Sequence, residues 1–296
     1  MKDKWLVMSE GAKGVLAGVA SALCLTGYLV VNRHVYNAYQ PSAVEYTLLF
    51  ALAGGVFGLI SLLRNGNHEM YGKIRKDTRH FMMLATLSFI AVGLLVIGQR
   101  YTTSINTALV GTMAILSTMF FSFSLLRERP TARQVWWLGG LFVGLYTAIV
   151  GFHTVHLNSG DFIVLSSVVF FGLGNVLARK IMKRQGSFVV PNVRLVIAAV
   201  FAAVTSIFFM RNFSLMWHIL PWAMLAGMFY WLTMKTFAVS VHLVNANHAI
   251  VLNNSQIVST SLAGVFLLGE SYTWEKFIGS IIVLTSIYFI TWKGRG

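Results

Sequence analysis

Ten apolar runs, each about as long as a membrane-spanning helix, constrain this chain more than any other feature. The runs lie approximately at 12–32, 43–63, 81–99, 104–126, 134–152, 161–181, 189–210, 218–240, 245–268 and 275–292. A helix needs about 20 mostly apolar residues to cross the hydrocarbon core of a bilayer. The composition agrees, because 56% of the residues are hydrophobic and only 11% are charged, whereas soluble domains carry about 25% charged residues. The pattern predicts an all-α membrane protein with ten transmembrane helices.

The positions of proline support this division into spans. All four prolines fall at or near predicted helix ends: Pro41, Pro130, Pro191 and Pro221. Because proline removes a hydrogen bond and breaks a helix from within, we expect none of the spans to be interrupted by one. The first apolar run follows a charged N-terminus and continues to full spanning length, so a cleavable signal peptide is not expected.

The distribution of Lys and Arg predicts the orientation in the membrane. If the N-terminus is cytoplasmic, all but four of the 23 Lys and Arg residues belong to the cytoplasmic side, Arg194 among them. The four on the outer side are Arg33, Arg100, Arg211 and Lys276. Short cytoplasmic loops of membrane proteins are enriched in these cations, and one missed helix would destroy the asymmetry further along the chain. We therefore expect both the N-terminus and the C-terminus to be cytoplasmic.

Charge, cysteine content and motifs argue against other classes of protein. The formal net charge is +14, but no nucleic-acid recognition module accompanies it, so no nucleic-acid partner is expected. The single cysteine, Cys24, rules out an intramolecular disulfide and a Cys-based zinc site. The sequence has no Gly-rich phosphate loop, HExxH or GxSxG motif. We therefore expect no enzymatic activity, no metal and no cofactor.

The sequence repeats itself after about half its length. A shift of 141 residues aligns Asn106 with Asn247, and a shift of 142 aligns "ILST" (115–118) with "IVST" (257–260) and "LLRE" (125–128) with "LLGE" (267–270). This predicts two five-helix halves, 1–152 and 153–296. Because five is odd, the second half must enter the membrane in the opposite orientation, as in transporters built from inverted repeats. Glu128 then lies at the inner face and Glu270 at the outer face, and we expect both to anchor helix ends.

These features resemble the EamA-type transporters of the drug/metabolite transporter superfamily. The resemblance rests on ten helices in two inverted halves, on the Leu-Leu-x-Glu that ends the fourth helix of each half, and on the Gly-containing fifth helix that follows it. It covers essentially the whole chain. It implies a multi-pass protein of the cell membrane with a central cavity between spans 1, 3 and 4 of the first half and 6, 8 and 9 of the second. It also implies a secondary transporter or facilitator, often an exporter of amino acids or other small metabolites.

The ninth span contains the most polar segment of the membrane region, "NANHAIVLNNSQIVST" (245–260). Its amides and hydroxyls occupy nearly every direction around a helix. An unsatisfied amide in hydrocarbon costs several kcal/mol, so other helices or a wet cavity must enclose this segment. Amide bonding between helices remains an alternative for each residue. The residues divide by depth: substrate contact is expected for Asn253, Asn254 and Gln256, and a gate or structural role for Asn106, Asn247 and His248.

Further candidates lie on other spans. Tyr28 of the first span and Tyr230 and Trp231 of the eighth are expected to line the cavity, with core packing as the alternative. Asn175 of the sixth span, flanked by glycines, suits ligand contact or helix packing equally. Lys235 is expected either to bind a substrate carboxylate or phosphate or to extend to the lipid headgroups.

Two polar residues near the outer surface suit a gate. They are Glu45 at the start of the second span and Gln99 at the end of the third. Glu45 is either solvated at the interface or directed inward, where it would pair with a substrate amine or with Arg33. No Asp or Glu falls at a clear midplane position, so a carboxylate proton relay is not expected.

The sequence therefore predicts export of a small polar or amphipathic metabolite such as an amino acid by alternating access. One alternative is an exchanger of phosphorylated or carboxylated metabolites that uses Lys235. Another is a membrane scaffold or receptor without transport. The expected partners are a small-molecule substrate and the lipid bilayer. "GLFVG" (140–144), a GxxxG motif in the fifth span, favours helix packing or a dimer contact, so both a monomer and a homodimer stay open.

Overall fold

The computed structural model describes residues 10–66, 68–127, 131–149, 158–210, 213–244 and 246–291, and all regular secondary structure within them is helical. The helices are α1 (Glu10–Tyr39), α2 (Ala43–Asn65), α3 (His68–Lys76), α4 (Thr78–Gln99), α5 (Ser104–Gly111), α6 (Ala114–Leu126), α7 (Ala132–Ile149), α8 (Ser159–Gln185), α9 (Val189–Phe209), α10 (Phe213–Val244), α11 (Ala246–Asn254), α12 (Gln256–Leu268) and α13 (Trp274–Thr291). The all-α fold class is confirmed for these residues.

Among the residues that the structure describes, eight segments are long and apolar enough to cross a membrane. They are α1, α2, α4, α5 with α6, α8, α9, α10 from Leu215, and α11 with α12 from His248. These segments correspond to eight of the ten predicted spans. The other two predicted spans fall on α7 and α13, helices of 18 residues each that pack on each other. The short helix α3 lies in the basic segment between the second and third spans, where no helix was expected.

The placement of Pro221 differs from the expectation. The prediction began the eighth span at residue 218, which put the proline at the helix end, but α10 begins at Phe213 and contains Pro221 in its interior. The helix begins five residues before the predicted start, because the preceding residues 213–217, mostly apolar, are helical as well. Proline donates no backbone hydrogen bond, so the turn before Pro221 lacks one bond of the helical ladder.

Helices of the first half pack against helices of the second half. The main pairs are α1 with α10, α2 with α9, and α4 with α8. Small residues permit close approach: a Cβ added to Gly227 of α10 would lie 2.7 Å from the backbone nitrogen of Gly54, and one added to Gly55 would clash with the Cβ of Ala199 on α9. Such contacts between small residues are the usual means by which helices associate in lipid. The halves therefore form one packed unit.

The GxxxG motif of α7 serves packing inside the chain. A Cβ added to Gly144 would lie 2.9 Å from the backbone nitrogen of Val283 and 3.0 Å from the carbonyl oxygen of Gly279 on α13. The rings of Trp137 and Phe289 stack across the same pair of helices, with centroids 4.4 Å apart. Of the two roles considered for this motif, the structure shows the helix-packing one.

The fourth and ninth spans are each broken into two helices at corresponding positions. The first break lies at Thr112 and Met113, between α5 and α6, and the second at Ser255, between α11 and α12. In both, a backbone N–H bonds three residues back instead of four: Thr112 to Leu109 at 3.1 Å and Ser255 to Leu252 at 3.2 Å. The same carbonyls accept the hydroxyls of Thr112 and Ser255, each at 2.6 Å. In each break the side-chain hydroxyl bonds to a backbone carbonyl of the preceding turn, and the backbone N–H bonds three residues back, as in a 3₁₀ helix. Together these two bonds explain both breaks.

Candidate functional site

Most described polar side chains of the ninth span are bonded to the first span or to their own helix. The hydroxyl of Ser21 on α1 donates to Oδ1 of Asn253 at 2.7 Å. One turn along, Thr26 Oγ1 lies 2.6 Å from Ser259 Oγ and 3.0 Å from Thr260 Oγ1. Asn254 donates to the carbonyl of Ile250 in α11 at 2.8 Å. The bonds of Asn253, Ser259 and Thr260 attach α1 to α11 and α12, which is the helix-bonding role that the sequence left open, whereas the bond of Asn254 stays within its own helix.

Two buried amide oxygens at the broken spans have no hydrogen-bond partner among the described residues. They are Oε1 of Gln256 and Oδ1 of Asn106. Because an unsatisfied buried polar atom is costly, a bound solute or water would satisfy these oxygens, and the same holds for the buried, unpartnered hydroxyl of Ser261 on α12. His248 is exposed on α11. The side chain of Asn247 lies outside the described part of the chain.

Tyr28 and Tyr230, predicted from two separate spans, lie in one aromatic cluster with Phe50 of α2. The ring centroids of Tyr28 are 5.2 Å from Phe50 and 5.3 Å from Tyr230, and those of Phe50 and Tyr230 are 5.6 Å apart. All three side chains are buried. The hydroxyl of Tyr28 makes no geometrically sound hydrogen bond within the described residues. The cluster closes the space between α1, α2 and α10.

Arg194 of α9 adjoins this cluster, and the sequence analysis did not select it. Its Nη2 donates to the hydroxyl of Tyr230 at 3.0 Å and lies 3.2 Å from Sδ of Met234. The residue is only 7% exposed, although its position near the start of a span grouped it with the cytoplasmic charges. A signal was available: Arg194 stands three residues after Pro191 and already within the apolar run, where a cation is rare.

A narrow crevice with a volume of about 30 Å³ lies beside Arg194. It lies between α2, α4, α9 and α10. Its walls include Thr47, Phe50, Ser88, Val92, Arg194 and Tyr230. The lining is largely apolar with a few polar groups, as in binding sites for small molecules, and the space in this conformation is that of about two water molecules.

Trp231 and Lys235 point elsewhere. The indole N–H of Trp231 donates to Oδ1 of Asn192 at 2.9 Å, and its ring stacks on Phe57 with centroids 6.0 Å apart. Nζ of Lys235 lies 4.9 Å from the centroid of the Trp231 ring, and the side chain is exposed. Neither residue lines the crevice. The contact of Lys235 is a cation–π interaction.

Asn175 lies at the contact of α8 with α6. Its Nδ2 is 3.4 Å from Oγ1 of Thr118, and the side chain is exposed. Close by, a Cβ on Gly172 would clash with Oγ of Ser117 on α6, whereas one on Gly174, next to Asn175, would make only ordinary contacts. Gly172, three residues before Asn175, therefore supports close helix packing, one of the two roles predicted for this stretch.

A hydrogen-bonded chain of side chains lies near the C-terminal ends of α1 and α4 and the N-terminal end of α2. Nδ2 of Asn32 donates to Oε1 of Gln99 at 3.0 Å, and the hydroxyl of Tyr46 donates to Oδ1 of Asn32 at 2.7 Å. Nε2 of Gln99 donates to the carbonyl of Leu29 at 3.3 Å. Gln99, Asn32 and Glu45 are buried. The two gate candidates on α2 and α4 are thus both enclosed by protein.

Glu270, just after α12, joins the second half of the chain to the first. Its carboxylate accepts the backbone N–H of Ser104 at 2.7 Å, the hydroxyl of Ser104 at 2.9 Å and the N–H of Ile105 at 3.1 Å. A carboxylate at a helix N-terminus satisfies free N–H groups and interacts favourably with the helix dipole. Nε of Arg33 lies 4.0 Å away. The anchor role predicted for Glu270 is confirmed, whereas Glu128 lies outside the described residues.

The described part of the chain has eight apolar helical spans, two halves whose helices pack in pairs, and breaks at equivalent positions of two spans. These features are those of a multi-pass membrane protein of the transporter class. The sequence pattern of the EamA-like transporter family matches residues 12–150 and again residues 158–292. The chain belongs to the EamA-like transporter family. This confirms the resemblance to the drug/metabolite transporter superfamily.

Two curated proteins are similar to the chain. The uncharacterized transporter YyaM of Bacillus subtilis (strain 168) is 24% identical over 189 residues, which are 62% of this chain and 61% of that protein. An uncharacterized transporter of Methanothermobacter thermautotrophicus is 20% identical over 251 residues, 80% of this chain and 71% of that protein. The aligned part thus spans about three fifths of the Bacillus protein. A chain of known crystal structure shares the fold, with a TM-score of 0.67 and 17% identity over 94% of this chain and 96% of that one.

Proposed function

We propose that this protein is a secondary transporter that moves a small polar or amphipathic metabolite by alternating access, in the direction of export. In the proposed topology ten spans cross the membrane and both termini are cytoplasmic. The observation that carries the proposal is the pair of broken spans, at Thr112–Met113 and at Ser255, at equivalent positions of the two halves. In the proposed topology these halves have opposite orientation. Discontinuous helices at equivalent positions of inverted repeats mark the transport site in other secondary transporters.

The size and polarity of the interior support a small solute. The crevice is small and largely apolar apart from a few hydroxyls and Arg194. Near the break of the ninth span, the buried Oε1 of Gln256 supplies an unused acceptor. An amino acid with an apolar side chain satisfies both features and is the first substrate class to test.

Transport is tested with purified protein in liposomes. Labelled phenylalanine, leucine and a set of organic acids are offered to liposomes loaded with the same unlabelled solute. We expect accelerated accumulation of at least one amphipathic solute relative to protein-free liposomes, because exchange needs only alternating access of one site. Absence of flux for every solute would contradict the proposal and favour a scaffold or receptor.

The topology is tested by labelling with a membrane-impermeant maleimide in a Cys24→Ala background. The exposed positions Lys183 and Thr273 are suitable. We expect Thr273→Cys to be labelled in intact cells and Lys183→Cys only after permeabilisation. The opposite pattern would reverse the orientation, and labelling of both in intact cells would contradict the number of spans between them.

A further inference from the structure

A pocket with a volume of about 390 Å³ lies at the C-terminal ends of α1 and α4. Its lining consists of Arg33, Tyr36, Asn37, Gln40, Arg100 and Tyr101. Asn37, Gln40 and Tyr101 are exposed, so the pocket opens to the surface of the protein. Pockets of this volume hold small molecules in other proteins. The space is therefore sufficient for a small ligand, unlike that of the crevice beside Arg194.

Arg33, in the last two turns of α1, uses only part of its hydrogen-bonding capacity. Its Nη1 donates to the carbonyl oxygens of Gln99 at 3.0 Å and Arg100 at 3.2 Å. Its Nε is buried and has no hydrogen-bond partner among the described residues. Oε1 of Glu270 lies 4.0 Å from this nitrogen, beyond hydrogen-bond distance, and that carboxylate already accepts three hydrogen bonds at the N-terminus of α5. Arg33 is therefore only loosely paired.

Arg100 follows α4 directly and brings a second cation to the pocket. Its Nη1 donates to the carbonyl oxygen of Pro41 at 2.5 Å, and its guanidinium carbon lies 5.9 Å from the centroid of the Tyr101 ring. Within the described part of the chain it forms no ion pair. Carbonyls at a helix C-terminus carry only a partial negative charge. The bonds that hold the two arginines in place therefore leave the pocket with a net positive charge.

The chemistry of the lining restricts the ligand. A guanidinium bonds most strongly to carboxylate and phosphate oxygens, because its planar N–H donors match them and the bond is charge-assisted. No Asp or Glu belongs to the lining, and each of its six side chains carries a polar group. A lipid acyl chain would find no aliphatic side chain to pack against. The lining thus favours an oxyanion that is dissolved in water over a lipid headgroup.

We propose that this pocket binds a small polar organic acid, whose carboxylate groups pair with Arg33 and Arg100 and whose remaining polar atoms bond to Asn37 and Gln40 at the rim. In the proposed topology the pocket faces the outer side of the membrane. It is a site apart from the broken spans, and the binding itself does not depend on transport.

Three ligands of equal size test the charge preference. Succinate carries two carboxylates, succinamate carries one and succinamide carries none. Binding is measured by calorimetry on purified protein in detergent at low ionic strength. We expect the affinity to fall in the order succinate, succinamate, succinamide, and the affinity for succinate to fall as salt is added, because salt screens exposed charges. Equal or tighter binding of succinamide would overturn the proposal.

Variants of one arginine locate the binding. Removing a charge-assisted partner weakens binding by about tenfold or more, so Arg100→Gln should lose at least that factor in affinity for succinate, and Arg100→Lys should keep part of it. Lys276→Gln removes a cation that lies outside the lining and serves as the matched control, with nearly unchanged affinity. Unchanged affinity in a folded Arg100→Gln protein would overturn the assignment.

Glu270→Gln tests the opposite direction. It removes the negative charge 4.0 Å from Nε of Arg33, so the affinity for succinate should rise by about twofold or more. A purely structural role of Arg33 gives no such gain. Lower affinity in a folded Glu270→Gln protein would show that Arg33 does not face the ligand.

A thiol at the rim reports occupancy in a protein that keeps both arginines. Asn37→Cys in the Cys24→Ala background reacts with N-ethylmaleimide. A ligand at ten times its Kd fills about nine tenths of its sites, so succinate at that concentration should slow the reaction about tenfold and succinamide should not. Thr273→Cys, outside the lining, is the matched control and should react equally with and without succinate. Unprotected Asn37→Cys would contradict occupancy of the pocket.

The same thiol distinguishes a solute from a lipid headgroup. The Asn37→Cys protein is placed in nanodiscs of phosphatidylcholine or of phosphatidylglycerol. Protection by succinate in both lipids, with equal rates in its absence, would support the solute site. If phosphatidylglycerol slows the reaction and succinate has no effect in either lipid, the pocket holds a lipid headgroup and the proposal is overturned.

Discussion

The amide-rich ninth span and the crevice beside Arg194 are both polar regions in an apolar interior, yet their polar groups are used differently. On the ninth span, Asn253, Asn254 and Ser259 are bonded to α1 or to their own helix. In the crevice, Arg194 is buried with an unpartnered Nε and no described acidic partner. Abundance of polar residues therefore marks the place where helices are joined, and a buried polar group without a partner marks the better candidate for a ligand.

This comparison predicts opposite effects of substitution in the two regions. Removing a partnered group should lower stability and leave binding unchanged. Removing an unpartnered group should cost little stability and change binding. Four substitutions, from the largest expected effect to the smallest, test the rule.

Glu270→Ala should cause the largest loss of stability. The substitution leaves the N–H groups of Ser104 and Ile105 without their acceptor and removes the anion near Arg33. Breaking a buried charged contact of this kind costs about 3 kcal/mol. The measurement is the midpoint of unfolding in detergent. Glu270→Gln, which keeps an acceptor oxygen, should recover part of the loss, and equal stability of Ala and wild type would show that the anchor is dispensable.

Asn253→Leu should lower stability by about 1 kcal/mol, because hydrogen bonds between membrane helices average about 0.6 kcal/mol and reach about 1.7 kcal/mol. The bond lost is the one from Ser21. A double-mutant cycle with Ser21→Ala isolates its contribution. Additive effects of the two substitutions would show that the Ser21–Asn253 bond contributes nothing to stability. A loss of ligand affinity with unchanged stability would show that Asn253 contacts the ligand and is not needed for helix packing.

Gln256→Met should leave the stability unchanged or slightly higher, by roughly 0–1 kcal/mol, because it removes a buried oxygen that has no described partner and inserts an apolar side chain of similar length. Flux in liposomes is the informative measurement. A reduced flux with intact stability would support solute contact at the break of the ninth span. A large loss of stability would instead reveal a structural role.

Lys235→Gln should have the smallest effect. The side chain is exposed and its described contact is with the Trp231 ring, an interaction that contributes about 0.5–1 kcal/mol at an exposed site. Flux and stability are both expected to stay near wild type, whereas Trp231→Leu should lower stability more, because it also removes the hydrogen bond to Asn192 and the stacking on Phe57. Abolished flux in Lys235→Gln would favour the exchanger of anionic metabolites that uses this residue.

Only part of the candidate site could be predicted from the sequence. Tyr28 and Tyr230 stand on separate spans, the first and the eighth, and each was selected as an aromatic residue able to line a cavity. Their contact through Phe50 depends on how α1, α2 and α10 cross. Arg194 was missed because its position in the sequence, near the start of a span, grouped it with the cytoplasmic charges. Whether its side chain is buried depends on the helices that pack around it, and the sequence does not show these. The amides of the ninth span were selected because amide side chains are rare in membrane spans. Their rarity does not show which groups they bond to.

The sequence by itself determined the all-helical membrane class, the eight confirmed spans, the repeat that relates the halves and the family, since hydrophobic length and periodicity are local properties that the bilayer imposes on any chain. It also determined the anchor at Glu270, because the repeated Leu-Leu-x-Glu ends a helix in each half. Only the tertiary structure decided which polar groups are satisfied. Hydrogen bonds between helices depend on side-chain directions across interfaces, and those directions follow from packing that no single span contains.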